Sequence, residues 1–192
     1  MKRSFDLDSF VNAARGVVPA DLVFRNARVV NVLTGEIHEE NVGIAGDRIL
    51  GFGDYRAARP ENEIDLRGAF LAPGLWDAHL HIESTMTTPR TFARLAAAHG
   101  TAAVVTDPHE IANVRGVQGI RDFLAGSRDL PVEILVMLPS CVPSTHLETA
   151  GASLGAEDLA ALWDEPNVLG LAELMNVPGF LFGDPGVRAK VE

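Results

Sequence analysis

From residue 73 onward, short apolar runs typical of buried strands alternate with segments of helical periodicity. The strand-like runs cover residues 75–82, 101–106, 132–138 and 168–171. The helical segments cover residues 89–99, 111–125 and 156–163, and the chain reaches residue 192 in what reads as the start of another helix. Strands that alternate with helices in this way pair in parallel, because each crossover helix returns the chain to the same end of the sheet. The alternation therefore predicts an α/β fold built from four βα units.

The first 72 residues have a different pattern. A short helix is expected over residues 5–15, and β-rich runs follow at residues 22–24, 27–32, 41–44 and 48–52. Glycine pairs with threonine or aspartate between these runs, at residues 34–35, 46–47 and 53–54, and such pairs favour tight turns. We therefore expect residues 1–72 to form a small antiparallel sheet module ahead of the βα region at residues 73–192.

The composition argues against several functional classes. The formal net charge is -10 and no basic cluster is present, which makes nucleic acid and anionic membrane poor partners. No apolar run approaches the ~20 residues of a membrane helix, and no apolar run of a secretory signal follows the N-terminal basic residues. One cysteine allows no internal disulfide. A cytoplasmic protein is the expectation.

Two histidines close the first strand-like run of the βα region. Alternate residues of a strand point to the same face, so His79 and His81 place two imidazoles on one side, aimed at one metal ion. Catalytic groups of parallel barrels lie at this carboxyl end of the strands. The alternative is a chance pattern, with one histidine in the core and one at a turn.

Three ionisable residues follow the second strand-like run, namely Asp107, His109 and Glu110. One interpretation gives them substrate contact or proton transfer. The other treats the segment as a helix start, with Asp107 as N-cap and Glu110 as its capping-box partner. The sequence leaves both interpretations open.

Glu173 stands alone at the end of the fourth apolar run. A buried carboxylate is costly unless it is paired or binds a metal. In a barrel, the first and fourth strands open into the same mouth, so Glu173 would reach a metal held by His79 and His81. The alternative is a solvated residue at a strand end. The loop after the third run carries Cys141, which reads as a wall of the pocket rather than a nucleophile.

Four longer runs together resemble the amidohydrolase superfamily, and more narrowly its adenine deaminase family. They are PGLWDAHLHIES at residues 73–84, DPHEIAN at 107–113, MLPSCVP at 137–143 and GLAELMN at 170–176. The H-x-H pair is shared across the superfamily, whereas DPHEIAN and LPSCVP are specific to this branch. The resemblance covers almost the whole chain. It implies a small β-sandwich followed by a metal-dependent (β/α)₈ TIM barrel, of which this chain holds the N-terminal half.

The resemblance also implies an activity and a set of site residues. The activity is hydrolysis of adenine to hypoxanthine and ammonia with a binuclear divalent metal centre, usually Mn²⁺, with Fe²⁺ or Zn²⁺ as alternatives. It implies that His79, His81 and Glu173 bind metal and that Asp107, His109 and Glu110 act near the purine. Substrate contacts are expected from the neighbouring motif residues Glu83, Ser84, Ser140 and Asn176.

Four βα units are half of an eight-unit barrel, which needs ~250 residues. Either the chain is a smaller open sheet, or it is the front part of a longer protein. In the second case the resemblance implies two more histidine ligands and a proton-shuttling aspartate on later strands. We expect residues 1–192 to be inactive alone. One alternative is another amidohydrolase, such as a cyclic amidohydrolase or a different nucleobase deaminase. The other is a non-catalytic truncated product. The sequence leaves homo-oligomerisation open.

Overall fold

The computed structural model describes residues 6–192, and the chain divides into two compact units, one up to Pro73 and one from Gly74 to Glu192. The first unit begins with helix α1 (Leu7–Ala14). The Asp6 carboxylate caps this helix by accepting hydrogen bonds from the backbone amides of Asp8 and Ser9. The predicted helix at residues 5–15 is thus present, although its first residue lies outside the described residues.

Five strands follow in one sheet of the first unit. They are β1 (Leu22–Asn31), β2 (Glu36–Ala45), β3 (Arg48–Phe52), β4 (Glu63–Asp65) and β5 (Phe70–Leu71). The pairs β1–β2 and β2–β3 are antiparallel, as expected. The expectation of a purely antiparallel module is wrong for β4 and β5, which both pair with β1 in parallel. Over the described part of this unit the strands form a single sheet, so a β-sandwich is not confirmed.

The second unit contains a four-stranded parallel sheet with helices between its strands. Its strands are β6 (Leu75–Leu80), β7 (Thr101–Thr106), β8 (Glu133–Leu138) and β9 (Val168–Leu171), in that spatial order. Its helices are α2 (Pro89–Ala97), α3 (His109–Gly126), α4 (Ala156–Ala160), α5 (Val177–Leu181) and α6 (Pro185–Val191). The predicted α/β architecture and the parallel pairing are confirmed.

Local sequence sets the bounds of these helices. Pro89 opens α2 at a position where its missing amide is not needed, and the Thr88 hydroxyl accepts a hydrogen bond from the Thr91 amide. Gly100, with a φ of +85°, leads out of the helix into β7. Helix α4 ends at Ala160, earlier than the expected residue 163, and turns follow it.

The core of the second unit lies between the parallel sheet and the helices that pack on it. Ile134, Val136 and Leu138 alternate along β8 and are fully buried, and Ile120 and Leu124 of α3 pack in the same cluster. Burial of each such side chain contributes about 1.5–3 kcal/mol. This packing fixes the strands, and with them the residues at their carboxyl ends. Over residues 6–192, no helix combines the length and apolar content needed to span a membrane.

Candidate metal centre

His79, His81 and Glu173 meet at the carboxyl ends of β6 and β9. Strand β6 ends at Leu80, so His79 is in the strand and His81 follows it directly. The Nε2 atoms of the two histidines lie 3.7 Å and 3.6 Å from Oε1 of Glu173, and their ring centroids are 4.9 Å apart. The structure therefore brings together the three residues that the sequence analysis expected to bind metal.

A backbone contact sets the tautomer of His81. Its Nδ1 lies 2.9 Å from the carbonyl oxygen of Asp107, and because a carbonyl oxygen only accepts, Nδ1 carries the proton and donates it. The other ring nitrogen, Nε2, is then the one with a free lone pair. A histidine held through one nitrogen by a carbonyl is the usual arrangement of a metal ligand.

Asp107 and His109 form the most buried polar pair of the site. The Nδ1 atom of His109 lies 3.0 Å from Oδ2 of Asp107, whose side chain is only 1% exposed. The Oδ1 atom of Asp107 has no hydrogen-bond partner. Burial raises the pKa of Asp107, against the opposing effect of His109. For His109, burial lowers the pKa, but the hydrogen bond and the charge of Asp107 outweigh it, so that the pKa of His109 is raised.

Glu110 interacts with a side chain from the segment that follows β6 rather than with the first amides of its own helix. The N-cap of α3 is Pro108, and neither Asp107 nor Glu110 caps the helix with its side chain, so the capping-box interpretation of these two residues is wrong. Instead, Oε1 of Glu110 accepts a hydrogen bond of 2.5 Å from the Ser84 hydroxyl. The other oxygen, Oε2, is buried without a hydrogen-bond partner and lies 3.8 Å from Nδ1 of His81.

Glu83 also faces the start of α3. Its Oε1 accepts a hydrogen bond from the Ile111 amide at 3.3 Å, and its Oε2 is buried without a hydrogen-bond partner. Burial raises the pKa of Glu83, and the nearby charge of Glu110 raises it further. Glu83 and Ser84, two expected substrate residues, therefore lie beside the ionisable residues of α3.

The side chains of the other two expected substrate residues hydrogen-bond to backbone groups near Glu173 and at the start of α5. The Ser140 hydroxyl donates to the carbonyl oxygen of Glu173 at 2.5 Å. The Asn176 side chain accepts from the Gly179 amide at 3.0 Å and so caps α5. Cys141 is buried, and its Sγ accepts from the Asn176 amide at 3.2 Å. The structure thus places these residues around the base of Glu173.

Four of the site residues offer a compact set of metal ligands. One donor atom from each lies within 4.8 Å of the others, and the four residues are His81, Asp107, His109 and Glu173. Ligand atoms on opposite sides of a cation, at bond lengths of ~2.0–2.2 Å, lie up to ~4.4 Å apart. The donor atoms here are therefore nearly as close together as the ligand atoms around a bound ion. Two imidazoles and two carboxylates suit Zn²⁺, Mn²⁺ or Fe²⁺. A cation would also satisfy the unpartnered Oδ1 of Asp107.

Sequence reasoning assigned Asp107 and His109 to catalysis and did not propose them as ligands. The available signal was their position at the end of β7, next to the strand that carries the H-x-H pair. His79 is outside the four-residue set and half-exposed, with 51% of its side chain accessible.

Comparison with known proteins places these residues in a family context. The model of the amidohydrolase family matches residues 70–192. Adenine deaminases from Cereibacter sphaeroides, Desulfatibacillum aliphaticivorans and Dehalococcoides mccartyi are 52%, 49% and 50% identical to 96–100% of the chain. The chain spans about a third of the length of these curated relatives, 32–33%.

Two solved structures share the fold at low sequence identity. D-hydantoinase from Bacillus sp. AR9 is 20% identical with a TM-score of 0.53, covering 78% of this chain and 32% of its own. N-acyl-D-glutamate deacylase from Bordetella bronchiseptica is 14% identical with a TM-score of 0.54, covering 90% of this chain and 42% of its own. At these identities the likeness concerns the fold alone.

Proposed function

Because the chain belongs to the amidohydrolase family, we propose that it forms the N-terminal part of a metal-dependent adenine deaminase, which hydrolyses adenine to hypoxanthine and ammonia. The observation that carries the proposal is the convergence of His81, Asp107, His109 and Glu173 at one edge of the parallel sheet. Identity near 50% to adenine deaminases along the whole chain favours this activity over other amidohydrolase reactions.

The proposed architecture places strands β6–β9 as the first four strands of a (β/α)₈ barrel. The small module at residues 1–72 precedes it, and the barrel begins at residue 73. The parallel order of β6–β9 and the fold likeness to D-hydantoinase and N-acyl-D-glutamate deacylase support this arrangement. In such a barrel the active site lies at the carboxyl ends of the strands, where the candidate metal centre is found.

We assign metal binding to His79, His81 and Glu173, with Asp107 and His109 in reach of the same ions. Mn²⁺ is the proposed metal, Fe²⁺ and Zn²⁺ are the alternatives, and the centre is proposed to be binuclear. A bound divalent cation lowers the pKa of water to near neutrality and so supplies a nucleophile. Glu173 is the proposed bridging ligand, because it is the carboxylate that approaches both His79 and His81.

Proton transfer is assigned to residues at the start of α3. Deamination adds a water oxygen to C6 of adenine, protonates a ring nitrogen and delivers a proton to the departing amino group. Oε2 of Glu110 is buried and has no hydrogen-bond partner, which leaves it available to hold such a proton. His109 is the second candidate, and Asp107 orients it through their hydrogen bond.

Substrate contact is proposed for Glu83 and Ser84, because Ser84 is hydrogen-bonded to Glu110 and Glu83 to the amide of Ile111, beside the proposed proton-transfer residues. The side chains of Ser140 and Asn176 hydrogen-bond to backbone groups of the loops around Glu173. We therefore propose that they hold these loops in place and do not contact the purine. We therefore propose that the protein binds a small neutral substrate and neither nucleic acid nor membrane. The proposed location is the cytoplasm.

The test uses the intact protein that carries this chain, purified without metal and then loaded with Mn²⁺. Ammonia release from adenine is measured beside release from cytosine and ring opening of hydantoin. The proposal expects adenine turnover that depends on added metal. Turnover of hydantoin or cytosine without adenine would assign the site to another amidohydrolase. No turnover of any of the three would favour a non-catalytic protein.

A further inference from the structure

Glu173 depends on its backbone for its position. Its side chain is 43% exposed, and its carboxylate lies 3.6–3.7 Å from the two histidines. Among the described residues, no hydrogen bond is formed to this carboxylate. Whatever fixes the backbone of Glu173 therefore fixes the carboxylate that faces the metal.

The loop after β8 holds that backbone through a buried hydroxyl. Ser140 is 2% exposed and donates its hydroxyl to the carbonyl oxygen of Glu173 at 2.5 Å. Two further contacts join the same loops. The Ala172 amide donates to the carbonyl of Leu138 at 2.8 Å, and the Asn176 amide donates to the sulfur of Cys141 at 3.2 Å.

A lysine of helix α6 also binds the loop after β8. The Lys190 ammonium donates to the carbonyl oxygen of Ser140 at 3.0 Å, across 50 residues of sequence. Burial lowers the pKa of Lys190, and the nearby groups of Cys141, Asp158 and Asp184 oppose the shift. Within residues 6–192, the ammonium binds this carbonyl and forms no ion pair with a carboxylate. A long charged side chain is costly to desolvate, so its use on one loop carbonyl indicates a role at that loop.

We infer that Lys190 is a positioning residue for the metal ligand Glu173, acting through the Ser140 carbonyl and the Ser140 hydroxyl. The inference rests on the proposed metal-dependent function. Among the described residues, the Lys190 ammonium forms its hydrogen bond with Ser140 and none with a proposed metal ligand. It anchors the loop after β8 to α6, and that loop anchors the backbone of Glu173.

The measurement is the affinity of the intact, metal-free protein for Mn²⁺, by competition with a chelator. Lys190→Met keeps the length and apolar stem of the side chain and removes the ammonium. Loss of a group that supports a metal ligand costs about 10–100-fold in metal affinity, and we expect the lower end, about tenfold, because Lys190 acts through another residue. Lys190→Arg keeps a donor and should recover most of the affinity. Arg188→Met, on the exposed face of the same helix, is the matched control and should change it less than twofold.

A double substitution tests whether the two residues act in one chain of contacts. Ser140→Ala should also weaken Mn²⁺ binding, by about tenfold or more. If Lys190 acts through Ser140, Lys190→Met should add less than twofold to Ser140→Ala, because coupled residues are not additive. The unfolding temperature of the metal-free protein should stay near that of the wild type in the Lys190 and Arg188 variants, which separates positioning from general stability.

Four outcomes overturn the inference: Lys190→Met binding Mn²⁺ within twofold of the wild type, an equal loss in Arg188→Met, full additivity with Ser140→Ala, or a loss that only follows a lower unfolding temperature. If Lys190→Met does not fold, Ser140→Ala carries the test, and unchanged affinity there overturns it. A wild-type protein without affinity for Mn²⁺ would instead contradict the proposed function.

Discussion

The imidazole of His109 and the carboxylate of Asp107 are joined at 3.0 Å, from Nδ1 to Oδ2, across the single residue Pro108. Both residues lie in the short segment that directly follows β7, and the Asp107 side chain is buried. His109 therefore presents Nε2 to the rest of the site, where Oε2 of Glu110 lies 4.0 Å away. One short segment thus supplies both an oriented imidazole and a buried carboxylate.

The histidine pair should control the metal content. In the intact protein, His79→Ala and His81→Ala are each expected to remove about one equivalent of metal per chain, because each imidazole faces Glu173. Elemental analysis of protein loaded with Mn²⁺ checks this. His99→Ala, an exposed histidine after α2, is the control and should keep full occupancy. Full occupancy in both site variants would remove the pair from the ligand set.

Glu110 should affect turnover more than metal content. Glu110→Gln keeps an oxygen for the Ser84 hydroxyl and removes the group that would carry a proton. Loss of a proton-transfer group typically lowers the rate by ~10²–10⁴-fold. Adenine turnover and metal content are measured on the same sample. Glu157→Gln on the exposed face of α4 should match the wild type. Unchanged kinetics in Glu110→Gln would leave Glu110 with a structural role alone.

Glu83 should make the metal-free protein less stable as the pH rises. Burial raises the folded-state pKa of Glu83 above its ordinary value of 4.5. The stabilisation from its protonated form is fully present below 4.5 and is lost as the pH rises through the raised pKa. Glu83→Gln carries no such charge, so its unfolding temperature should match the wild type at pH 4 and exceed it at pH 7.

The expected result for Glu83→Gln is therefore a higher unfolding temperature than the wild type at pH 7 and no difference at pH 4. Thermal unfolding of the chelated protein at the two pH values measures it. The exposed control Glu157→Gln should show no pH-dependent difference from the wild type. An unfolding temperature for Glu83→Gln below that of the wild type at pH 7 would contradict the assignment.

Residues 1–192 alone should not deaminate adenine. Strands β6 and β9 are at the two edges of the parallel sheet, and each has one partner among the described strands. Unpaired edges favour association with other chains. Ammonia release by the purified 192-residue chain with Mn²⁺ is expected to fall far below the ~1–10³ per second of ordinary enzymes. Turnover in that range would show that these residues suffice.

The periodicity of the sequence was enough to predict the βα region. An apolar run of strand length predicted β7, because buried parallel strands need apolar residues on both faces. A similar run predicted β9, although this edge strand has no fully buried residue. The parallel pairing of β4 and β5 with β1 was not predictable in the same way. Both segments are only two or three residues long, and their partner is chosen by where the chain returns rather than by any local pattern.

For the site, the sequence by itself determined which residue types stand at the strand ends: the histidines at the end of β6, the DPHE segment after β7 and Glu173 after β9. Parallel strands deliver these residues to one edge, so their meeting could be inferred. Only the tertiary structure decided which partners they choose. Glu110 binds Ser84 instead of capping its helix, and Lys190 reaches Ser140 across 50 residues. Such partners depend on distances between elements, and those distances are set by core packing that no local pattern encodes.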